Sequence, residues 1–367
     1  MSVRKPKIIA FPHPGDEHLM RNIKWECVDT TNFSKFIDSK KRIRLGKQRY
    51  DNLMQNKEGI MWWNNSLHQR KFIMCRGLYL DKESFYTNSN GKYKPNEGDL
   101  LFWGEMEYPT HYEKIDYNAV IDNGYPHYIH TPIEQRKKYI ENCNSDSLYK
   151  LYGTLFDDGN IRIYEPKIGL QNTDPYVFGD AFYYSCCKQR KCNKSTKLQE
   201  LECGDIIIFY SYKGCSSEFV CRVDTVFVIG KKIGKYKKNE YAAIRESISD
   251  LYFQNIILPI FYGNGSSVDN EGGFTLYKSA TFESPVNGMF SYFPCKPYKE
   301  NDCCGFPRYE IKNGELSNEI ILKSKQGFAI NSVDDETAKK IWNNLTESIL
   351  ADGYRLGVKA YEPELID

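Results

Sequence analysis

The order of apolar and polar positions predicts many short strands with a few helices beside them. Lys7 to Phe11 reads as a short strand, which Pro12 and Pro14 stop and Gly15 turns. Arg70 to Leu80 alternates loosely and predicts another strand. Lys94 to Asp99 reads as a turn leading into a strong strand over Leu100 to Trp103. In the second half, Ile206 to Tyr210 and the Val- and Phe-rich Glu218 to Ile229 predict a hairpin around Lys213-Gly214-Cys215. Lys231 to Lys238 carries five Lys in eight residues and reads as an exposed loop. Tyr241 to Phe253 has helical spacing, with Tyr241, Ile244, Ile248 and Leu251 on one face. Ile256 to Phe261 suits a short buried strand, followed by a glycine-rich loop from Gly263 to Gly273. The clearest helix comes last. Ser332 is its expected N-cap, Asp335 sits near the positive end of the dipole, and Ala338, Ile341, Trp342, Leu345 and Ile349 form its apolar stripe. The class this predicts is α+β, strand-rich with flanking helices.

Composition sharpens the picture by exclusion. The chain has 367 residues, 41% hydrophobic and 14% aromatic, with a net charge of +2. That excludes a disordered chain and a protein that coats nucleic acid by overall charge. No apolar run reaches the length of a membrane span, and the apolar stretch after the basic start is too short for a signal peptide, so a cytoplasmic protein without a membrane partner is expected. Twelve Cys occur with no CxxC pair, which reads as reduced thiols and no metal site. The near-neutral total hides a split. Residues 1–150 hold 24 Lys and Arg against 19 Asp and Glu, together with all six His and four of the five Trp; the remainder holds 26 against 29. Two domains are expected on this basis: 1–150, His- and Trp-rich and slightly basic, and 151–367, β-rich with the C-terminal helix.

Four stretches carry candidate chemistry. The turn His13-Pro14-Gly15-Asp16-Glu17-His18 ends a strand, where His13, Asp16, Glu17 and His18 could serve as general acids and bases or bind a metal; a polar turn opening a helix explains it equally well. Trp62 and Trp63 precede His68, Gln69, Arg70 and Lys71, residue types that stack a base and neutralise a phosphate, although two core Trp would look the same. Glu105 and Glu107 follow Trp103 and share a face if the strand continues, a possible acid/base pair or a plain solvent-facing strand end. Tyr183 and Tyr184 precede Cys186, Cys187, Lys188 and Gln189, a set that could line a pocket for a planar ring or pack in a core. The segment around residues 35–49 adds Lys40, Lys41, Arg42 and Arg44 as phosphate contacts. The glycine-rich stretch matches no P-loop or dinucleotide fingerprint, and no cofactor is implied.

The string Leu201-Glu202-Cys203-Gly204-Asp205 before Ile206–Tyr210 resembles the turn-and-strand of PUA-like β-barrels of the EVE and ASCH type, and Glu97-Gly98-Asp99 before Leu100 echoes it. Phe178 to Ile229 is also similar to parts of bacterial proteins tied to nucleotide modification and phage defence, through Tyr184-Ser185-Cys186-Cys187-Lys188-Gln189 and Asp224-Thr225-Val226-Phe227-Val228. The resemblance covers about a seventh of the chain. It implies a small barrel holding a flipped, modified base among aromatics such as Trp103, Tyr183 or Tyr184, in nucleic acid, with DNA the first choice. Two other readings stand beside it. One is a hydrolase of DNA glycosylase type using Asp16, Glu17, His18, His68, Arg70 and Glu105. The other is a structural or partner-binding protein without small-molecule chemistry. Oligomeric state is not legible.

Overall fold

The computed structural model describes residues 4–12, 69–87, 92–107, 121–122, 125–126, 171–172, 175–191, 194–213, 220–237, 240, 242–249, 252–257, 272–297, 308–311, 320 and 327–362. Within them the protein is strand-rich with few helices. The larger of two main sheets has six strands. One strand in from its edge lies β1 (Lys7–Pro12), whose Ile8, Ile9, Ala10 and Phe11 are fully buried. Such an unbroken apolar run marks a strand covered on both faces. β1 lies parallel to β10 (Ile206–Lys213), pairing Ile8 with Ile206, and antiparallel to β14 (Ala329–Ser332). β10 forms an antiparallel pair with β11 (Val220–Tyr236), and the sheet continues through β12 (Phe274–Ser279) to β7 (Tyr183–Tyr184).

The second sheet contains a small closed barrel of four strands. β2 (Gln69–Leu80) pairs with β3 (Asn96–Glu107), β3 with β13 (Phe293–Pro297), β13 with β15 (Arg355–Ala360), and β15 returns to β2. β6 (Gln171–Asn172) extends the end of β3. Closing so few strands brings backbones close together, and glycine permits it. A Cβ on Gly77 would lie 2.2 Å from the Lys359 carbonyl, and one on Gly357 would lie 2.1 Å from the Phe293 ring. Two short ladders complete the strands, β4 (Ile121–Asp122) with β5 (Tyr125–Pro126) and β8 (Arg190–Lys191) with β9 (Lys194–Ser195). A reciprocal backbone bridge between Val226 and Tyr292 (2.9 and 3.0 Å) ties the two main sheets together, and one apolar cluster runs through both.

Three α-helices are described. α1 (Lys82–Tyr86) follows β2, where Asp81 and Ser84 form a capping box. α2 is Ala242–Arg245. α3 (Asp335–Ala351) buries the expected stripe of Ala338, Ile341, Trp342, Leu345 and Ile349, and Trp342 donates its indole N–H to the Phe290 carbonyl at 2.9 Å. No helix among the described residues is long and apolar enough to cross a membrane.

Several expectations need correction. Asp334, not Ser332, caps α3, accepting from the Thr337 N–H at 2.7 Å, because Ser332 is still paired with Lys7 in the sheet. Lys231–Tyr236 is not a loop but the far half of β11, with Tyr236 buried beneath the exposed lysines. Of the helix expected over Tyr241–Phe253, the described residues give α2 and then a turn over 246–248. The Ser249 hydroxyl takes the Tyr252 N–H at 3.2 Å, one way a serine competes with the helical ladder. Phe253–Ile257 then forms a π turn where a strand was expected to begin. Both main sheets draw strands from each side of residue 150, so the 1–150 and 151–367 division does not separate them. Pairing between distant strands is what joins the halves, and composition carries no trace of it.

Candidate functional site

Two places hold the candidate residues that lie within the described chain. The first is the β2–β3 ladder. The twelve-residue strands pair from Tyr79 with Asn96 to Gln69 with Met106. The register sets Arg70 opposite Glu105, Lys71 opposite Gly104, and Phe72 opposite Trp103. Residues 31 to 35 apart in sequence thus become direct neighbours where the ladder runs on past the small barrel. β3 runs on through Glu107, the condition on which Glu105 and Glu107 share a face. Asp16, Glu17, His18, Lys40, Lys41, Arg42, Arg44, Trp62, Trp63 and His68 lie outside the described residues.

The second place is the turn that follows β7. Tyr183 is 8% exposed, stacks on Tyr252 with ring centroids 5.1 Å apart, and donates its hydroxyl to the Ser247 carbonyl at 3.2 Å. Tyr184 is fully buried, stacks on Tyr277 at 6.0 Å, and donates to the Cys187 carbonyl at 2.7 Å. These rings are packed against the protein's own aromatics. The backbone then takes positive φ at Cys186 (61°) and Lys188 (57°), unusual for residues with a Cβ and a common sign of a turn that aims a side chain. The Lys188 ammonium lies 4.2 Å over the Phe11 ring and donates to the carbonyls of Pro12 and Gly327, the latter at 2.9 Å. It therefore caps the point where β1 and β14 part, directly before the His13 turn in sequence. Gln189 is fully buried. Its amide N–H donates to the Thr275 carbonyl and its amide oxygen accepts from the Thr275 N–H, both at 2.7 Å. The bidentate capacity read as suited to a nucleobase is used here as a substitute strand beside β12.

Burial pushes the Tyr183 phenol up to about 12, helped by the charges of Asp180 and Glu362, and raises Tyr176 and Tyr277 above the ordinary phenol value as well. A phenol whose folded pKa exceeds its unfolded pKa holds its proton longer in the folded state. Its stabilisation is complete below about pH 10 and is lost as pH rises through the folded value. Tyr183 alone then contributes on the order of 2–3 kcal/mol. Phenolate absorbance followed against pH is expected to show an exposed class near pH 10 and a late class that appears together with loss of far-ultraviolet circular dichroism near pH 12. Titration of every tyrosine near pH 10 with the circular dichroism unchanged would contradict the burial of these rings.

Two functional-looking buried charges escaped the reading of the sequence. Asp205 is fully buried at the Gly204-Asp205 turn, and Asp224 is 3% exposed beside Arg308, which is 6% exposed. The signal for Asp224 was present: an acid within the apolar run Val223–Val228 requires a buried cation. Among the described residues, no group of three or more His, Cys, Asp or Glu is arranged to hold a metal ion. No family model matches the chain, and no curated protein or solved structure matches it.

Proposed function

We propose that the protein interacts with nucleic acid and recognises a modified nucleobase through a PUA-like barrel. The observation that carries this reading is the register of the β2–β3 ladder, which sets Arg70 opposite Glu105 and Phe72 opposite Trp103 where the two strands run on past the small closed barrel. These are the types a base reader needs. An aromatic ring stacks the base, a cation holds the phosphate, and a carboxylate accepts from an exocyclic amine. A base must leave the duplex to reach such a site, which favours modified or mispaired positions because they unstack at lower cost. The same opposition of Arg70 and Glu105 favours a second reading, hydrolysis of the glycosidic bond, in which the carboxylate activates water and the cation stabilises the departing base.

The test is fluorescence anisotropy with labelled duplexes that differ only at one central cytosine, plain or modified at C5. The modified duplex is expected to bind more tightly. Trp103→Ala and Arg70→Ala should each remove about 1–3 kcal/mol of that preference, roughly ten- to a hundredfold. Equal affinity for plain and modified duplexes across a panel of modifications would end the base-recognition reading. An abasic site in the recovered strand, lost in Glu105→Gln, would select the hydrolase.

A further inference from the structure

Two lysine-rich runs that lie about 40 residues apart in sequence meet on either side of β12. The first contains Lys191 and Lys194 of the β8–β9 ladder and Lys197 just beyond it. The second is the far half of β11, with Lys231 and Lys235 exposed. Thr275 is the pivot. It pairs with Lys235 across one edge of β12, while its N–H and carbonyl bond the Gln189 side chain on the other, next to the start of β8. The Arg190 guanidinium packs so closely on Gly272 that a Cβ there would lie 1.7 Å from it, which holds the short ladder against the end of β12.

The charges are poorly compensated for a resting surface. Lys191 stands directly opposite Lys194, and Lys231 directly opposite Lys278. Like charges facing each other across a ladder destabilise it. Asp180 acts on Lys278 but is paired with Lys359. Lys232 bonds Glu202 at 2.9 Å, and Lys237 lies 3.7 Å from Glu240. Lys191, Lys194, Lys197, Lys231 and Lys235 have no ion pair of this kind among the described residues. Two opposed lysine pairs, one on the β8–β9 ladder beside the start of β12 and one near the end of β12, are kept at a cost to the fold, and an anion laid across them removes that cost.

We infer that this surface carries the phosphate backbone of a nucleic acid. The inference rests on the nucleic-acid reading above and adds to it a surface separate from the β2–β3 ladder. A protein partner would need an apolar centre to its interface, and a membrane would need apolar anchors beside the lysines. The one large apolar side chain exposed among the described residues is Tyr86, which belongs to α1. A phosphate backbone requires only cations on a rigid frame, and it is recognised without regard to sequence.

The experiment compares full-length protein with Lys191→Gln/Lys194→Gln/Lys197→Gln, with Lys231→Gln/Lys235→Gln, and with all five changes. Binding of a labelled plain 20-base-pair duplex is measured from about 50 to 200 mM salt. The slope of log affinity against log salt should shrink by about 0.9 for each phosphate contact removed. With all five changes, affinity at 100 mM salt should fall on the order of a hundredfold. Removing the opposed lysines should leave the thermal midpoint equal or higher, so lost binding would not be lost folding. Discrimination between modified and plain duplexes should persist at low salt in these variants. An unchanged slope in all three, with wild type still binding, overturns this surface and leaves the Arg70 and Trp103 reading standing. Wild type that binds phosphatidylserine vesicles or polyglutamate but no oligonucleotide overturns the nucleic-acid assignment itself.

Discussion

Asp205→Ala is expected to destabilise the protein by about 3–5 kcal/mol, because it removes the acceptor for two backbone donors at once. One carboxylate oxygen accepts from the Lys7 N–H at 2.8 Å, and the other from the Glu202 N–H at 2.9 Å. The second oxygen also lies 2.6 Å from the Arg4 guanidinium. The residue is fully buried, so water cannot easily replace what is lost. Each stranded N–H costs about 1–3 kcal/mol, whereas the bridge to the 42%-exposed Arg4 adds little. The turn around the carboxylate is equally determined. Gly204 takes φ +89°, donates its N–H to the Ile229 carbonyl, and leaves the Asp205 carbonyl to accept from the Ile229 N–H. Asp205 thus joins three parts of the large sheet, β1, the turn before β10, and β11. Asp205→Asn keeps one acceptor but turns a donor toward the other N–H, and should lose about half as much. Urea unfolding measures the loss, and hydrogen exchange should show β1 amides released first. A cost under about 1 kcal/mol for the alanine variant would mean the carboxylate does not hold the strand.

That turn marks how far the sequence could be read. Gly204-Asp205 before an apolar run announced a tight turn and a strand, since the glycine's backbone freedom and the alternation are local properties. β10, the near half of β11, β1 and the stripe of α3 were legible for the same reason. What Asp205 bonds to was not, because Lys7 is 198 residues away and joins only when β1 inserts beside β10. The parallel β1–β10 pair and the closing of β13 onto β3 are likewise products of long-range pairing. The lysines of β11 misled for a different reason. Charge density suggested a loop, but the far half of β11 runs past the end of β10 and pairs with β12 alone, so it tolerates exposed lysines while Tyr236 is buried.

The candidate sites divide along the same line. Arg70 and Glu105 could be nominated by type, yet only the register of β2 and β3 makes them opposite each other. Tyr183, Tyr184, Lys188 and Gln189 were nominated together because they are contiguous, and their positions separate their jobs. The tyrosines stack in the interior, Lys188 caps two diverging strands, and Gln189 extends the edge of β12. Contiguity in a turn with two positive φ values sends neighbouring side chains in different directions, so a sequence string of ligand-like types need not make one pocket.

Breaking the ion pair between Asp224 and Arg308 is expected to be as damaging as losing Asp205, while replacing both residues should be tolerated. The guanidinium lies 2.9 Å from the carboxylate, and both side chains are 3% exposed. Asp224 belongs to β11 and Arg308 to the short segment that bonds alongside it, where Val223 donates to the Tyr309 carbonyl and Ile311 to the Cys221 carbonyl. A second pair with the charges reversed, Arg222 with Glu310 at 2.9 Å, lies one step along the same bridge and is partly exposed. The two therefore provide an internal comparison. Asp224→Ala strands a buried cation and should cost about 3–5 kcal/mol. Glu310→Gln faces solvent and should cost under about 1 kcal/mol. The double change Asp224→Leu/Arg308→Met removes both buried charges, so neither desolvation cost remains, and it should recover most of the loss or exceed wild-type stability. A double-mutant cycle from denaturant unfolding separates the coupling from the individual effects. If the buried pair is what aligns the 308–311 segment, the apolar pair should keep the stability but allow faster hydrogen exchange at Val223 and Ile311, the two amides that register the segment on β11. Equal exchange in both proteins would assign the alignment to the backbone bridge alone, and the ion pair would then be a charge the fold accommodates without using.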